Sequence, residues 1–166
     1  MADDSGRGSG RDTATDFAVV AYREEGAWTV APLPLRLASD LDGIVTALRQ
    51  LPAETGAMAL VSVADDFFLV VRVRGSDVRL LVSDAALADE WPLGREALEA
   101  LDVEPPAEEE VTPAGELDVF ADLGLAAMEL AALCADEDAY PDELLGRVAS
   151  RLGFGDEFER AVDGTL

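Results

Sequence analysis

Two side chains that often perform catalysis, histidine and cysteine, are absent or nearly absent from this chain. It contains no histidine, which excludes serine–histidine and cysteine–histidine catalysis and removes the ligand that most zinc sites use. The single cysteine, Cys134, lies in an Ala/Leu-rich stretch without a basic neighbour in sequence. We therefore interpret it as a small buried hydrophobe and not as a thiolate nucleophile. Glycine-rich dinucleotide and phosphate loops are also absent from the sequence, so nothing indicates a cofactor.

The side chains that could bind a metal ion through oxygen are concentrated in one place. We call this the acidic segment, residues 136–143, with the sequence Asp-Glu-Asp-Ala-Tyr-Pro-Asp-Glu. A calcium-binding EF-hand loop that starts at Asp136 needs glycine at its sixth position and glutamate at its twelfth. Those positions hold Pro141 and Arg147, so the motif fails and we predict no metal. Paired acids can also act as general acid and base, but no pattern in the sequence marks a pocket around them.

The alternative use of this segment is recognition of a partner. Helix starts explain many of its acids, and burial is the simplest interpretation of the aromatic rings near it. A tyrosine or phenylalanine at a helix end can also be exposed and anchor a partner. The candidate partner-binding residues are Asp136, Asp138, Tyr140, Asp142, Glu143, Phe154, Asp156, Glu157 and Phe158.

The charge distribution favours a basic partner. The formal net charge is −23, and all 12 basic residues are arginine. Residues 1–84 hold 13 acids and 8 arginines, whereas residues 85–166 hold 22 acids and 4 arginines. Such a surface repels phosphate backbones, so we predict no direct binding to DNA or RNA. A general role of these acids in solubility is the alternative.

Composition indicates a folded protein of ordinary domain size. About half of the 166 residues are apolar, enough for a sizeable core. No run reaches the roughly 20 apolar residues that span a bilayer, and the polar start of the chain does not resemble a secretory signal. One unpaired cysteine fits a reducing compartment. We expect a cytoplasmic location, and the oligomeric state is open.

The elements that must position these residues follow an α+β pattern. Strands are predicted at 17–22, 28–31, 57–63, 67–74 and 77–83, and helices at 41–51, 84–88 and 95–101. The order β-β-α-β-β-β-α predicts an antiparallel sheet of about five strands with covering helices, an order like that of roadblock/longin and profilin domains. In the fourth strand, Phe67, Leu69, Val71 and Val73 should face the core. The opposite face carries Arg72 and Arg74 at one end, so we expect it to be partly wet.

The remaining chain is predicted to form a C-terminal helical appendage. Helices are expected over 117–133, with a step at Gly124, then from Pro141 to a stop at Gly153, and over 156–162. The predicted division is a disordered tail at 1–15, an α+β domain at 16–102, an acidic Pro-rich linker at 103–115 and the helical region at 116–166.

The sequence resembles a known family. The run DLGLAAMELAALCADEDAYPDELLGRVASRLGFGDEFE, residues 122–159, is similar to the tRNA adenosine deaminase-associated proteins of actinobacteria. AYPDELL and RLGFGDEFE are its most specific parts, and DFAVVAYREEGAWTV and ALVSVADDFFLVVRVRG extend the likeness over nearly the whole chain from Asp16. The resemblance implies association with the enzyme that converts wobble adenosine to inosine in tRNA. It implies no catalytic residue.

Three functions fit these observations. The favoured one is a non-catalytic acidic accessory or regulatory partner of tRNA adenosine deaminase, because a tRNA-binding enzyme must have a basic surface. The protein cannot be the deaminase itself, since the zinc signature His-x-Glu with Pro-Cys-x-x-Cys is impossible without histidine. The alternatives are a nucleic-acid-mimicking inhibitor of a basic RNA-binding enzyme and, third, an enzyme that uses carboxylates or a divalent ion.

Overall fold

The computed structural model describes residues 15–52, 56–107 and 111–164. The predicted tail therefore lies outside the described residues except for Thr15. The strands are β1 (Thr15–Glu24), β2 (Ala27–Pro32), β3 (Ala57–Val63), β4 (Phe67–Arg74), β5 (Asp77–Val82) and β6 (Ala114–Gly115). The α-helices are α1 (Leu41–Arg49), α2 (Ala85–Ala88), α3 (Pro92–Leu101), α4 (Ala127–Cys134), α5 (Pro141–Leu152) and α6 (Gly155–Asp163). Short 3-10 turns occur at Leu35–Leu37 and Ala121–Leu123.

The strands form one antiparallel sheet in the order β2-β1-β3-β4-β5-β6. The α+β class is thus confirmed, with six strands where about five were expected. The additional strand is β6, whose two residues pair with Leu81 and Val82 at the sheet edge. Gly115 has φ 111°, and a Cβ at this position would collide with the carbonyl oxygen of Leu80. Only glycine therefore allows this close pairing.

Helices α1, α2 and α3 cover the first face of the sheet. As predicted, Phe67, Leu69, Val71 and Val73 are buried in its core. Helix α1 lies over β3 and β4, and α3 packs beside β5. Asp40 caps α1 by accepting a hydrogen bond from the backbone N–H of Gly43 at 2.6 Å, which satisfies one of the free donors of the first turn.

Helices α4, α5 and α6 cover the second face. Helix α5 lies over β3 and β4, and α6 lies over β1 and β2. Phe68 and Val70 are fully buried on this side, and Arg72 is only 1% exposed. The prediction that this face is partly wet is therefore wrong for all but its outer end, where Arg74 is exposed. The reason is tertiary: residues more than 45 positions away along the chain cover the face and supply a counter-ion.

The helix limits in this region agree with their local signals. Gly124 adopts φ 101° after the 3-10 turn and separates it from α4. The helix predicted over 117–133 is therefore wrong before Ala127, where the chain forms turns and the short 3-10 segment. Pro141 is the first residue of α5, and Gly153 ends that helix with φ 105°. Within the described part of the chain, every helix is too short or too polar to cross a membrane.

Candidate partner-binding site

The acidic segment 136–143 forms the loop between α4 and α5 and the first turn of α5. Asp136 organises this loop, because its carboxylate accepts hydrogen bonds from the N–H of Asp138 at 3.0 Å and from Nη1 of Arg147 at 2.8 Å. The Arg147 guanidinium lowers the pKa of the Asp136 carboxyl, and the Asp138 N–H adds to this effect. The side chain is thus ionised and committed to the fold of its own loop.

The remaining polar candidates of this segment are at the surface. Asp138, Asp142 and Glu143 are exposed, and Tyr140 is 61% exposed. Asp142 and Glu143 lie in the first turn of α5, where the positive end of the helix dipole favours negative charge. This local stabilisation keeps a charged cluster beside the exposed ring of Tyr140.

The two phenylalanine candidates have a different position. Phe154 is 0% and Phe158 is 3% exposed, so the core interpretation is confirmed for both rings and the exposed one is wrong. Phe154 packs against Trp28 at 4.7 Å, and Phe158 meets the edge of Phe17 at 5.8 Å between ring centroids. These contacts attach α6 to the first two strands.

The last two candidates lie at the start of α6. Asp156 and Glu157 occupy its first turn, and Glu157 is within 3.8 Å of Arg160 on the same helix. Their positions are explained by the helix dipole. Whether any of the candidates contacts a partner remains a prediction.

The structure adds acids from the first half of the chain that sequence reasoning missed. A cleft of about 310 Å³ lies between the β3–β4 turn, the start of α2 and the acidic segment. Asp65, Asp66 and Asp84 line it together with Asp136 and Glu137. Spacing could not show this grouping, because the two sets are more than 50 positions apart in sequence.

The ionised forms of two carboxyl groups in this region are destabilised. Burial raises the pKa of Asp84, and the negative charges of Asp66 and Glu137 act in the same direction. Burial also raises the pKa of Asp16, although the N–H of Asp65 and the hydroxyl of Ser62 donate hydrogen bonds to it. A cationic partner at this end of the molecule would relieve part of that repulsion.

A larger groove opens between α4, α5 and α6. Its volume is about 1010 Å³, and its lining combines apolar side chains with charged ones. Two arginines of α5 lie at the groove, and each is paired: Arg147 with Asp136 at 2.8 Å, and Arg151 with both carboxylate oxygens of Glu129 at 2.7 and 2.9 Å.

An ion pair between the buried Arg72 and the partly exposed Asp122 supports the second face. Arg72 Nη1 donates to the carbonyl oxygen of Val119 at 2.7 Å and to Asp122 at 2.6 Å, while its Nη2 donates to the other oxygen of Asp122 at 2.8 Å. The hydrogen bonds from Arg72 lower the pKa of the Asp122 carboxyl. The fork-like geometry is the strongest form of such a pair, and it fixes the turn that leads into α4.

The single thiol of the chain is buried. Cys134 is 3% exposed, and burial raises the pKa of its thiol to about 12, so the thiolate is scarcely populated at neutral pH. No group of three or more carboxylate or thiol side chains in the described residues has a geometry that could hold a metal ion. What the surface offers is a set of carboxylates, an exposed tyrosine and a groove.

Two comparisons with known proteins give the family. A sequence model of the Rv3753c-like tRNA adenosine deaminase-associated protein family matches residues 16–155. Protein Rv3753c of Mycobacterium tuberculosis (strain ATCC 25618 / H37Rv) is 36% identical over 156 residues, covering 92% of this chain and 90% of that protein. No solved structure matches this chain. The resemblance seen in residues 122–159 is thereby confirmed, and the chain belongs to the Rv3753c-like tRNA adenosine deaminase-associated protein family.

Proposed function

We propose that this protein is a non-catalytic accessory or regulatory protein that binds tRNA adenosine deaminase. The family description names an association with that enzyme. The observation that carries the proposal is the gathering of acids from both halves of the chain, Asp65, Asp66 and Asp84 with Asp136 and Glu137, around one cleft. An enzyme that holds tRNA needs a basic surface, and an acidic protein can dock on it or beside it.

The absence of catalysis is part of the proposal. It is supported by the lack of histidine in the sequence and by the buried, protonated thiol of Cys134. We also propose a cytoplasmic location, in agreement with the unpaired cysteine and with a role in tRNA modification.

The proposal is tested by co-purification with the cognate deaminase at low and high salt. Binding is expected at low ionic strength and should weaken as salt rises, because exposed charges are screened. Reversing Asp138, Asp142 and Glu143 to lysine should weaken it further, by about tenfold or more. The matched control reverses Asp42, Glu99 and Glu104, which are also exposed but belong to the first-face helices and the segment after them. No binding at low ionic strength would reject the proposal.

The same components distinguish the two hypotheses of a nucleic-acid mimic and an accessory protein. A mimic must occupy the tRNA site, so adding tRNA would displace it and deamination would fall as its concentration rises. An accessory protein leaves deamination unchanged or increases it. A deaminase assay titrated with this protein therefore distinguishes the two outcomes.

A further inference from the structure

The groove between α4, α5 and α6 has an apolar floor and wall. Phe17 and Phe158 line its base, and Leu133 and Val162 line its sides. Helix α4 (AMELAALC) has one charged residue, Glu129, and is otherwise apolar. A helix that is apolar all round is normally buried, yet Ala132 is exposed at the groove and Met128, one turn before it, is 85% exposed. One face of α4 therefore lacks a partner within the described residues.

A glycine inside helix α5 keeps the groove open. Gly146 lies in the middle of that helix, where glycine costs about 0.5–1 kcal/mol relative to alanine. Nothing in the described part of the chain requires it, because a Cβ would meet only Cε2 of Phe158, at 4.0 Å, an ordinary contact. Because position 146 has no side chain, an edge of the otherwise buried Phe158 ring lines the groove beneath it. The space above Gly146 is thus free for a side chain from another molecule.

The rim of the groove is negative. Its charged lining consists of two arginines, Arg147 and Arg151, and six acids, which gives a formal charge of −4. Both arginines are already paired with acids of the rim. In the described part of the chain, Glu159 and Asp163 have no ion-pair partner. An occupant with positive charges on either side of an apolar stripe would complement this surface.

We infer that this groove binds a basic amphipathic α-helix of a partner protein, with one apolar side chain inserted over Gly146. A helix seated in an apolar groove through residues spaced three and four apart is a common mode of peptide recognition. A second copy of this chain fits less well, because its net charge of −23 would oppose a negative rim. The inference rests on the proposed function for the existence of a protein partner, but the groove can be tested without the deaminase.

The probe is a fluorescent designed peptide of about 18 residues, five helical turns, with leucine on one face and arginine and lysine elsewhere. Its control has the same composition in scrambled order, so that charge is kept and the apolar face is lost. Fluorescence anisotropy with the full chain should show tighter binding of the amphipathic peptide. Equal binding of both peptides would reduce the attraction to charge alone and overturn the inference.

Filling the groove should prevent binding. The change Gly146→Leu is expected to weaken binding of the amphipathic peptide by about tenfold or more, the loss typical of a blocked central contact. The matched control, Ala100→Leu, adds the same side chain at an exposed position of α3 on the other face and should leave affinity unchanged. Thermal unfolding checks that both variants fold. Unchanged affinity in folded Gly146→Leu would overturn the inference.

A second variant leaves the helix glycine intact. Reversing Glu159 and Asp163 to lysine should weaken the amphipathic peptide by about threefold or more at low salt, whereas reversing Glu99 and Glu104 should not, because those acids are remote from the groove. Equal losses of peptide affinity in the two double variants would show that the rim acids have no specific role and would contradict the inference. Sedimentation velocity tests the other occupant: self-association of the wild type that Gly146→Leu abolishes would assign the groove to a second copy.

Failure of this inference is distinguishable from failure of the proposed function. The deaminase could co-purify equally with wild type and Gly146→Leu while the peptide binds both with equal affinity. In that case the accessory function stands and the groove assignment is wrong. If the peptide binds in the groove but the deaminase never co-purifies, the groove stands and the named partner is wrong.

Discussion

The two faces of the sheet are both covered by helices but differ in what they bury. The first face is mostly aliphatic, with Phe67 its one fully buried ring, and it is covered by α1, α2 and α3. The second face holds the other five of the six phenylalanines and the buried Arg72. Large rings pack there against helices that leave a groove between them. The first face has a smaller cavity of about 540 Å³ between α1 and α3, and the second combines the core with the groove of about 1010 Å³ that can accept a partner.

The largest expected effects come from removing one large buried side chain on each face. Phe154→Ala on the second face should cost about 3–5 kcal/mol of the free energy of unfolding, and Ile44→Ala on the first about 2–5 kcal/mol. Both side chains are fully buried. Because β4 contributes alternate residues to both cores, we expect each variant to unfold in a single shifted transition.

Each face carries one tryptophan that reports this transition. Trp28 packs against Phe154 on the second face, and Trp91 packs on the first. Urea unfolding of Trp28→Phe and Trp91→Phe, followed by the fluorescence of the remaining tryptophan and by circular dichroism, should give coincident curves. Separate midpoints would instead support the division between 16–102 and 116–166 as independent folding units.

An intermediate effect is expected at the ion pair between Arg72 and Asp122. Asp122→Ala leaves the Arg72 guanidinium buried without its carboxylate and should cost about 3 kcal/mol, the low end of the usual range because Asp122 is 42% exposed. Arg72→Met removes the charge itself and should cost less. Chemical denaturation measures both, and a larger loss in Arg72→Met would contradict this account.

The ion pair makes the cost of Asp122→Ala depend on pH, whereas the cost of Ile44→Ala should not, because that change removes only apolar contacts. The pKa of Asp122 is lowered in the folded state. Its contribution is therefore present above the unfolded value of 3.8 and is lost as the pH falls through the folded pKa. The difference in free energy of unfolding between wild type and Asp122→Ala should therefore shrink as the pH falls below 3.8. Asp16 and Asp84, whose pKa values are raised, act in the opposite direction, because their ionisation at neutral pH costs stability.

The smallest effect distinguishes two glycines of the α5 region. Gly146→Ala should raise the free energy of unfolding by about 0.5–1 kcal/mol, because Gly146 is helical and its Cβ has space. Gly153→Ala should lower it by about 1 kcal/mol, because Gly153 has φ 105°. Thermal unfolding measures both changes. A loss of stability in Gly146→Ala would show that glycine at this position serves the fold and not the groove.

Local signals determined most of the elements, although β6 lies inside the predicted linker and the helix predicted from Leu117 begins only at Ala127. Strands β3 and β4 have the limits that the sequence predicted, and α5 begins at Pro141 and ends before Gly153. These features depend on side chains within one or two turns of each other, so the sequence was sufficient to find them. The family resemblance was also readable, since it depends on residue order alone. The acidic segment was found for the same reason.

Tertiary structure decided everything that joins distant segments. The sequence predicted that Arg72 lies at a solvent-exposed end of its strand. Its partner Asp122 lies 50 positions later, beyond any local pattern. The cleft that joins Asp65, Asp66 and Asp84 to Asp136 and Glu137 needed the sheet turn and the α4–α5 loop to meet. The groove over Gly146 needed three helices. A periodic pattern shows which face of an element is apolar, but it does not show which other element covers that face or how much of it stays open.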